Sequence, residues 1–363
     1  MVVIFARSEQ EATTEEVQFD MNKSIKDFLL NLKKKNIKLS SEIASETIKL
    51  LERIITNSEW ETAKDLMQII RDTGKTLTRP FYVHTVVGNM VKRTLKIIRD
   101  EYLNAVCGKI EDYDVQESLQ KMVSAQEDEE MDYSEKVNSL KKSISANLRE
   151  LMEECERSPE VIAMQSEEHI HSDEVILTFG YSRTVEKFLK AAAKRICNVI
   201  VVQGGRKLGV LEMAKSLTES GIKVTLISSA CMLPIMPHVN KVIVGAHCVM
   251  GNGGLKAVCG VHPLALAAEH HSVPFYVLAP VFKLTPQYVS SSDQEGFNHD
   301  LPPEELIGFE DIDLFRGVEV VNPAYDYVPP DKITLIIFNT GGNSPSYAYR
   351  PLKELYHPDD HEL

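Results

Sequence analysis

The sequence predicts an α/β protein in which an N-terminal helical domain is followed by a Rossmann-like parallel-sheet domain. Up to about residue 170, apolar side chains recur at helical spacing and none of the segments alternates like a strand. After that point, short β-branched runs alternate with helical segments at intervals of about 25 residues, a pattern typical of parallel sheets. We therefore expect a polar segment over residues 1–23, a helical domain over 24–160 and a Rossmann-like domain over 161–363.

The helical domain is predicted from its apolar periodicity and its helix-starting residues. Helices are expected to begin at Ser24, Ser40 and Trp60, and two longer ones to cover residues 85–105 and 134–155. Pro159 is expected to start a further helix, because proline suits the first turn. Residues 111–132 hold nine acidic residues and one lysine, so we expect a solvated acidic insertion there.

The Rossmann-like domain is predicted from its strand-like runs. These runs cover residues 174–179, 198–202, 223–227, 241–244, 274–278 and 333–338. Helical segments are expected between them over residues 184–194, 208–220, 230–236 and 264–271.

Composition narrows the function classes. The 363 residues carry 53 Asp and Glu against 40 Lys and Arg, a net charge of −13 that argues against direct nucleic-acid binding and against an anionic membrane surface. The six cysteines include no C-x-x-C pair, so we expect no zinc site and a reducing compartment. The apolar run after Met1 is too short for a signal peptide, and a cytosolic location is expected.

The first two strand–helix turns lack the known phosphate-binding motifs. Neither residues 179–183 nor residues 203–209 contain G-x-G-x-x-G or a P-loop, so no nucleotide cofactor is expected. The histidine spacings include no H-x-x-x-H or H-E-x-x-H, and no metal is expected. Arg183 stands at the start of a helix after a strand, where it suits either a phosphate contact or an interface or capping role.

Several long motifs carry a family resemblance. Residues 242–254, 264–271 and 273–277, with 176–178 and 181–183, resemble the core of the superfamily that joins the regulatory subunits of eukaryotic translation initiation factor 2B to methylthioribose-1-phosphate and ribose-1,5-bisphosphate isomerases. Within it, the beta-subunit family is most similar, through residues 85–93, 169–172, 282–287, 325–330, 341–343 and 356–361. The resemblance covers residues 24–363 apart from the acidic insertion.

The resemblance also implies that this chain lacks residues of the isomerase active site. At the position of the isomerase cysteine this chain has Gly180, and at that of the isomerase aspartate it has His247. Where the isomerases have an Arg-Pro pair, Gly204 and Gly205 occur, with Arg206 following. A glycine side chain cannot transfer a proton, so isomerase activity is not expected. The remnant sugar-phosphate pocket would comprise Gly180, Tyr181, Ser182, Arg183, Arg206, His247 and Asn252.

The resemblance implies a non-catalytic regulatory subunit, working with alpha, gamma, delta and epsilon subunits. That complex promotes GDP–GTP exchange on initiation factor 2, with epsilon catalytic, and responds to phosphorylation of that factor's alpha subunit. A sugar-phosphate or nucleotide binding module, or an isomerase, is the alternative. The expected subunit interface comprises Tyr347, Tyr349, Arg350, Leu355 and Tyr356. A basic helix face with Lys92, Arg93, Lys96 and Arg99 suits contact with initiation factor 2, or is simply solvated.

Overall fold

The computed structural model describes residues 21–34, 39–79, 84–106, 133–137, 139–204, 207–288, 297–303, 306 and 317–361. The acidic insertion predicted over 111–132 lies outside these residues, as do residues 1–20 of the predicted polar segment.

The N-terminal part is a helical layer around its own apolar core. Its helices are α1 (Met21–Lys33), α2 (Ser40–Asn57), α3 (Ala63–Thr78), α4 (Thr85–Val106) and α5 (Leu140–Met164). Fully buried side chains such as Leu51, Leu66 and Leu95 face this core, as the helical spacing predicted. Thr62 caps α3: its hydroxyl accepts from the Asp65 amide at 3.1 Å, and the Asp65 carboxylate accepts from the Thr62 amide at 3.2 Å.

The predicted helix start at Pro159 is wrong, because α5 runs unbroken through that residue. A proline inside a helix leaves the carbonyl four residues earlier without its usual amide donor. Here the hydroxyl of Ser158 donates to that carbonyl, on Cys155, at 2.8 Å. A short helix, α6 (Ser166–His169), then leads to the sheet. The domain ranges proposed from the sequence stay predictions.

The remaining elements form two sheets and the helices that connect or flank their strands. The strands are β1 (Glu174–Phe179), β2 (Ile196–Gln203), β3 (Val224–Ser228), β4 (Lys241–Gly245), β5 (Cys248–Met250), β6 (Leu255–Val258), β7 (Phe275–Leu278), β8 (Leu284–Thr285), β9 (Tyr325–Val328), β10 (Leu335–Phe338) and β11 (Gly341–Asn343). The helices are α7 (Arg183–Ala191), α8 (Lys207–Glu219), α9 (Met232–Ile235), α10 (Val261–His270) and α11 (Tyr349–Leu355).

The main sheet confirms the predicted fold class. Among the described residues it has seven strands in the order β11-β10-β7-β4-β1-β2-β3, all parallel except the final β10–β11 pair. The chain moves outward from β1 to β3 and then returns to the other side of β1 with β4. This reversal places a topological switch point between the carboxyl ends of β1 and β4, where open α/β sheets bind ligands.

A second sheet and helix α11 were not predicted. The second sheet has the order β8-β5-β6-β9 and mixes parallel with antiparallel pairs. Its strands have two to four residues each, too few for alternation to stand out in the sequence.

The C-terminal residues return to the helical layer and form what we call the C-terminal clasp: Arg71, Lys92, Arg99, Asp360 and His361. The fully buried carboxylate of Asp360 accepts hydrogen bonds from Arg71, at 3.2 and 3.3 Å, and from two nitrogens of Arg99. The Lys92 ammonium donates to the His361 carbonyl at 2.9 Å. Burial lowers the pKa of Lys92 to about 8, against the opposing charge of Asp360. The clasp therefore joins Asp360 and His361 to α3 and α4.

Replacing Asp360 with asparagine tests the clasp. The neutral side chain leaves the buried Arg99 guanidinium with only the exposed Asp359 as a counter-ion, so we expect the free energy of unfolding in urea to fall by about 3 kcal/mol. Asp359→Asn is the matched control. Asp359 is two-thirds exposed and lies 3.7 Å from Arg99, so its loss should cost less than about 1 kcal/mol. Equal losses from the two variants would show that the buried charge pair is not what holds the clasp.

Candidate functional site

The switch point between β1 and β4 is closely packed. Gly180 directly follows β1, and its φ of 66° is in the left-handed region. Ser182 follows and caps α7 by accepting from the Val185 amide at 3.5 Å. The same hydroxyl lies 2.5 Å from where a Cβ on Gly245 would stand. The end of β4 must therefore be glycine for the β1–α7 turn to pack against it.

The ring of Phe179, the last residue of β1, fills the crevice beside this turn. Gly204 directly follows β2, and a Cβ atom added to it would lie 2.7 Å from the Phe179 ring. Gly260 directly precedes α10, and a Cβ atom added to it would lie even closer to the same ring. Gly260 also has a φ of 103°. The side chain of Phe179 is buried with the main apolar core. An aromatic ring thus occupies the notch that these two glycines open at the carboxyl edge of the sheet.

The residues predicted to form a remnant pocket have varied surroundings. Tyr181 is 44% exposed and packs over Gly209. Arg183 opens α7 with an exposed side chain, so its phosphate-contact and interface readings both stay open. Asn252 is in the β5–β6 turn, where it accepts from the Gly254 amide at 2.9 Å and donates to the Tyr327 hydroxyl at 3.1 Å. Arg206 lies outside the described residues. Whether any of them binds a ligand stays a prediction.

His247 belongs to a cluster that sequence reasoning missed, which we call the His–Lys cluster: His84, His247, Lys256, His299 and Tyr325. The Tyr325 ring lies 4.5 Å from that of His247 and 5.5 Å from that of His299, between centroids. The Lys256 ammonium lies 4.8 Å from the Tyr325 centroid. His84, the residue before α4, is 6.3 Å from His247. These residues are far apart in the sequence, so no sequence motif could predict that they form a cluster.

Burial controls the protonation of the groups in and beside this cluster. It lowers the pKa of Lys256 to about 8 and, with the charges of His299 and Lys256, also lowers that of His84. Lys283 donates to the Ala246 carbonyl at 2.8 Å, and burial lowers its pKa to about 8. Burial raises the pKa of the Cys248 thiol to about 11, so this cysteine is a neutral thiol near pH 7 rather than a nucleophilic thiolate.

Within the described ranges, no group of three or more histidine, cysteine or acidic side chains is placed to hold a metal ion. Among the helices of those ranges, none combines the length and apolar character needed to cross a bilayer.

The prediction of an exposed basic face on α4 is wrong for two of its four residues. Lys92 and Arg99 are 1% and 3% exposed, because both point inward to the C-terminal clasp. Arg93 pairs with Glu154 at 3.3 Å, and Lys96 lies 4.0 Å from Asp100. The helical period alone could not reveal this, because the partner of Arg99 is 261 residues further along the chain.

The residues expected at the subunit interface divide into surface and core. Tyr347 and Tyr349 are more than half exposed, and Arg350 is exposed beside Glu354. Leu355 packs partly buried against the main core. The prediction that Tyr356 lies at the subunit interface is wrong, because the residue is only 1% exposed. Its hydroxyl donates to the Leu284 carbonyl at 2.7 Å.

A third exposed tyrosine lies near this helix. Tyr288 is 70% exposed, and its ring approaches Gly251 from the same side as Leu352 of α11. We call Tyr288, Tyr347 and Tyr349 the tyrosine patch. Exposed tyrosines are enriched where proteins associate, because the ring buries a large area while the hydroxyl still finds a partner.

Comparison with known proteins gives a consistent family. The model of the initiation factor 2 subunit family matches residues 36–345. Translation initiation factor eIF2B subunit beta of Dictyostelium discoideum is 37% identical over 92% of this chain and 95% of its own length. The Schizosaccharomyces pombe protein of the same name is 32% identical over 93% of this chain and 96% of its own length. Ribose 1,5-bisphosphate isomerase of Archaeoglobus fulgidus is 31% identical over 62% of this chain and 71% of its own length.

Solved structures show the same fold. The crystal structure of eIF2B beta from Chaetomium thermophilum superposes with a TM-score of 0.72 at 24% identity, over 94% of both chains. A chain of the tetrameric eIF2B-beta2-delta2 complex from C. thermophilum gives a TM-score of 0.69 at 24% identity, over 96% of this chain and all of that one.

The contact between Phe179 and Gly260 is testable by adding one methyl group. Gly260→Ala must both strain a left-handed residue and displace the Phe179 ring, so we expect it to lower the free energy of unfolding by about 3–4 kcal/mol. Gly221→Ala is the control: Gly221 has a φ of 83° with open space where its Cβ would stand, so only the strain of about 1–2 kcal/mol applies. Similar losses in the two variants, measured in urea, would mean that Phe179 does not fill the crevice.

Proposed function

The chain belongs to the initiation factor 2 subunit family, and we propose that it is a non-catalytic regulatory subunit of the initiation factor 2B exchange complex. In this role it helps a cytosolic complex promote GDP–GTP exchange on translation initiation factor 2. It also takes part in the response to phosphorylation of that factor's alpha subunit. The observation that carries the proposal is the similarity over almost the whole chain to two beta subunits of that complex.

The packing at the switch point supports a role without catalysis. Phe179 takes up the crevice, and the positions of the isomerase cysteine and aspartate are Gly180 and His247 by motif alignment. The Cys248 thiol near His247 is neutral at physiological pH. No proton-transfer pair is therefore proposed at this edge of the sheet.

The proposed partners are the other subunits and the substrate factor. One structural relative is the tetrameric beta2-delta2 complex, which favours a delta-like subunit as direct neighbour, with alpha, gamma and epsilon completing the assembly. For contact with initiation factor 2, Arg93 and Lys96 keep part of their side chains at the surface. Their pairing with Glu154 and Asp100 makes them modest contributors.

The tyrosine patch with Arg350 is the proposed docking surface for the neighbouring subunit. Tyrosine and arginine dominate the binding energy of many interfaces, because they bury large areas and keep a polar end satisfied. Tyr347 and Tyr349 are exposed and are carried by the 3₁₀ turn before α11 and by α11 itself. Rigid elements hold them in place before a partner binds, which reduces the entropy lost on association.

Assembly tests the proposal and its surface together. Co-expressed with the delta-like subunit of the same organism, the chain should co-purify in equal amounts and give the mass of a complex containing both. The double variant Tyr347→Ala, Tyr349→Ala should weaken this association at least about tenfold, as loss of interface anchors does. Tyr181→Ala, which removes an exposed tyrosine from the β1–α7 turn, should not. A wild-type chain that elutes alone contradicts the proposed function, whereas an unaffected double variant contradicts only the surface.

Isomerase activity gives a separate prediction. Incubated with ribose 1,5-bisphosphate or methylthioribose 1-phosphate, the chain should give no product, because the motif alignment puts Gly180 and His247 where the isomerases have the groups that move the proton. The A. fulgidus isomerase, assayed alongside on ribose 1,5-bisphosphate, shows that the assay works. Turnover by this chain that disappears in His247→Ala would instead establish a catalytic role for the His–Lys cluster.

A further inference from the structure

The helical layer and the main sheet have separate apolar cores, so the elements that connect them decide whether the two parts unfold together. Helix α5 is one such element, because Leu148 packs in the core of the helical layer and Ile162 in the core under α7. Pro159 stands between these two parts of the helix. A proline lacks the amide that would add a backbone hydrogen bond, so α5 is less stiff at this point than elsewhere.

A single stripe of α4 makes the other polar contacts between the layers. The side-chain amide of Asn89 donates to the Phe282 carbonyl at 3.0 Å, and the Phe282 ring packs in the core of the helical layer. Three and ten residues after Asn89, Lys92 and Arg99 bind the residues around Asp360. At 3.6 residues per turn, these three α4 positions fall within about 80° of each other. The same face of α4 therefore receives both the segment before β8 and the C-terminal clasp.

The C-terminal residues are anchored in both layers. Tyr356 is 1% exposed in the main core, and its hydroxyl donates to the Leu284 carbonyl at 2.7 Å. Asp360 is fully buried in the clasp, after a 3₁₀ turn over Pro358–Asp360. Even fully extended, four residues span at most about 14 Å. The connection between the two anchors is therefore too short to let α4 move away from the sheet while both stay in place.

We propose that residues 356–361 form a strap that makes the helical layer and the main sheet unfold as one unit. Both anchors are costly to release, because freeing Asp360 leaves the buried Arg99 without its main partner and freeing Tyr356 exposes apolar surface. Once the strap is released at Asp360, α5 and the Asn89 contact still connect the layers, but each layer opens separately. This inference concerns the fold alone and does not depend on the proposed function.

Hydrogen exchange on the full chain tests the strap through the response of one layer to a change in the other. The slowest amides of α2 report on the helical layer, and those of β1 report on the sheet. Gly260→Ala perturbs the main core beside Phe179 rather than the clasp. In an otherwise wild-type chain, we expect it to speed exchange in β1 and α2 by the same factor, at least about a hundredfold, because both exchange through one global opening.

The same substitution is then made in two further backgrounds. With Asp360→Asn, Gly260→Ala should speed exchange in β1 alone, because α2 now exchanges through separate opening of its own layer. With the matched control Asp359→Asn, at a carboxylate that is two-thirds exposed, the joint response of β1 and α2 should remain. An α2 that responds equally with and without Asp360→Asn overturns the proposal, and so does an α2 that never responds to Gly260→Ala.

Milder variants keep the test decisive if the first ones do not fold, as judged by circular dichroism. Lys92→Met replaces Asp360→Asn, since it removes only the hydrogen bond to the His361 carbonyl. Ile243→Val, in the buried centre of β4, replaces Gly260→Ala, with a joint response of about threefold expected in the wild-type background. The outcomes are interpreted in the same way for these variants.

Discussion

The contact of one aromatic ring with two glycines determines how the carboxyl edge of the main sheet is packed. Phe179 ends β1, an interior strand of the main sheet, at the edge where related folds admit a ligand. Gly204 and Gly260 leave no Cβ in its way, so the ring occupies the crevice itself. With that space filled, and with Ser182 packed against Gly245, the switch point becomes part of the core.

Buried charge supplies a second organising constraint. The C-terminal clasp brings Asp360 between Arg71 and Arg99 and holds the residues around Asp360 against the helical layer. Each partner is costly to bury alone, so the pair is stable only when the tail is in place. Lys256 contrasts with this arrangement, since it is buried without any such partner among the described residues.

Most of the main sheet could be predicted from the sequence because its β-branched runs are buried and regularly spaced, as for β1, β2 and β4. Features that depend on distant residues could not. Helix α5 continues through Pro159 because a neighbouring serine satisfies the freed carbonyl, which no spacing rule includes. From the sequence alone Arg99 would be placed at the surface, because its partner Asp360 is distant in the chain. Tyr356 would be placed there too, because its hydroxyl bonds to the Leu284 carbonyl, which belongs to the second sheet with strands of only two to four residues.

We propose that this chain regulates exchange without catalysing it. The most direct measurement compares GDP release from initiation factor 2 by the reconstituted exchange complex with and without this chain, using unmodified factor and factor phosphorylated on its alpha subunit. We expect that the chain alone releases no GDP, and that omitting it from the complex diminishes the inhibition caused by phosphorylated factor. An exchange rate and an inhibition that are both unchanged when the chain is omitted would contradict it.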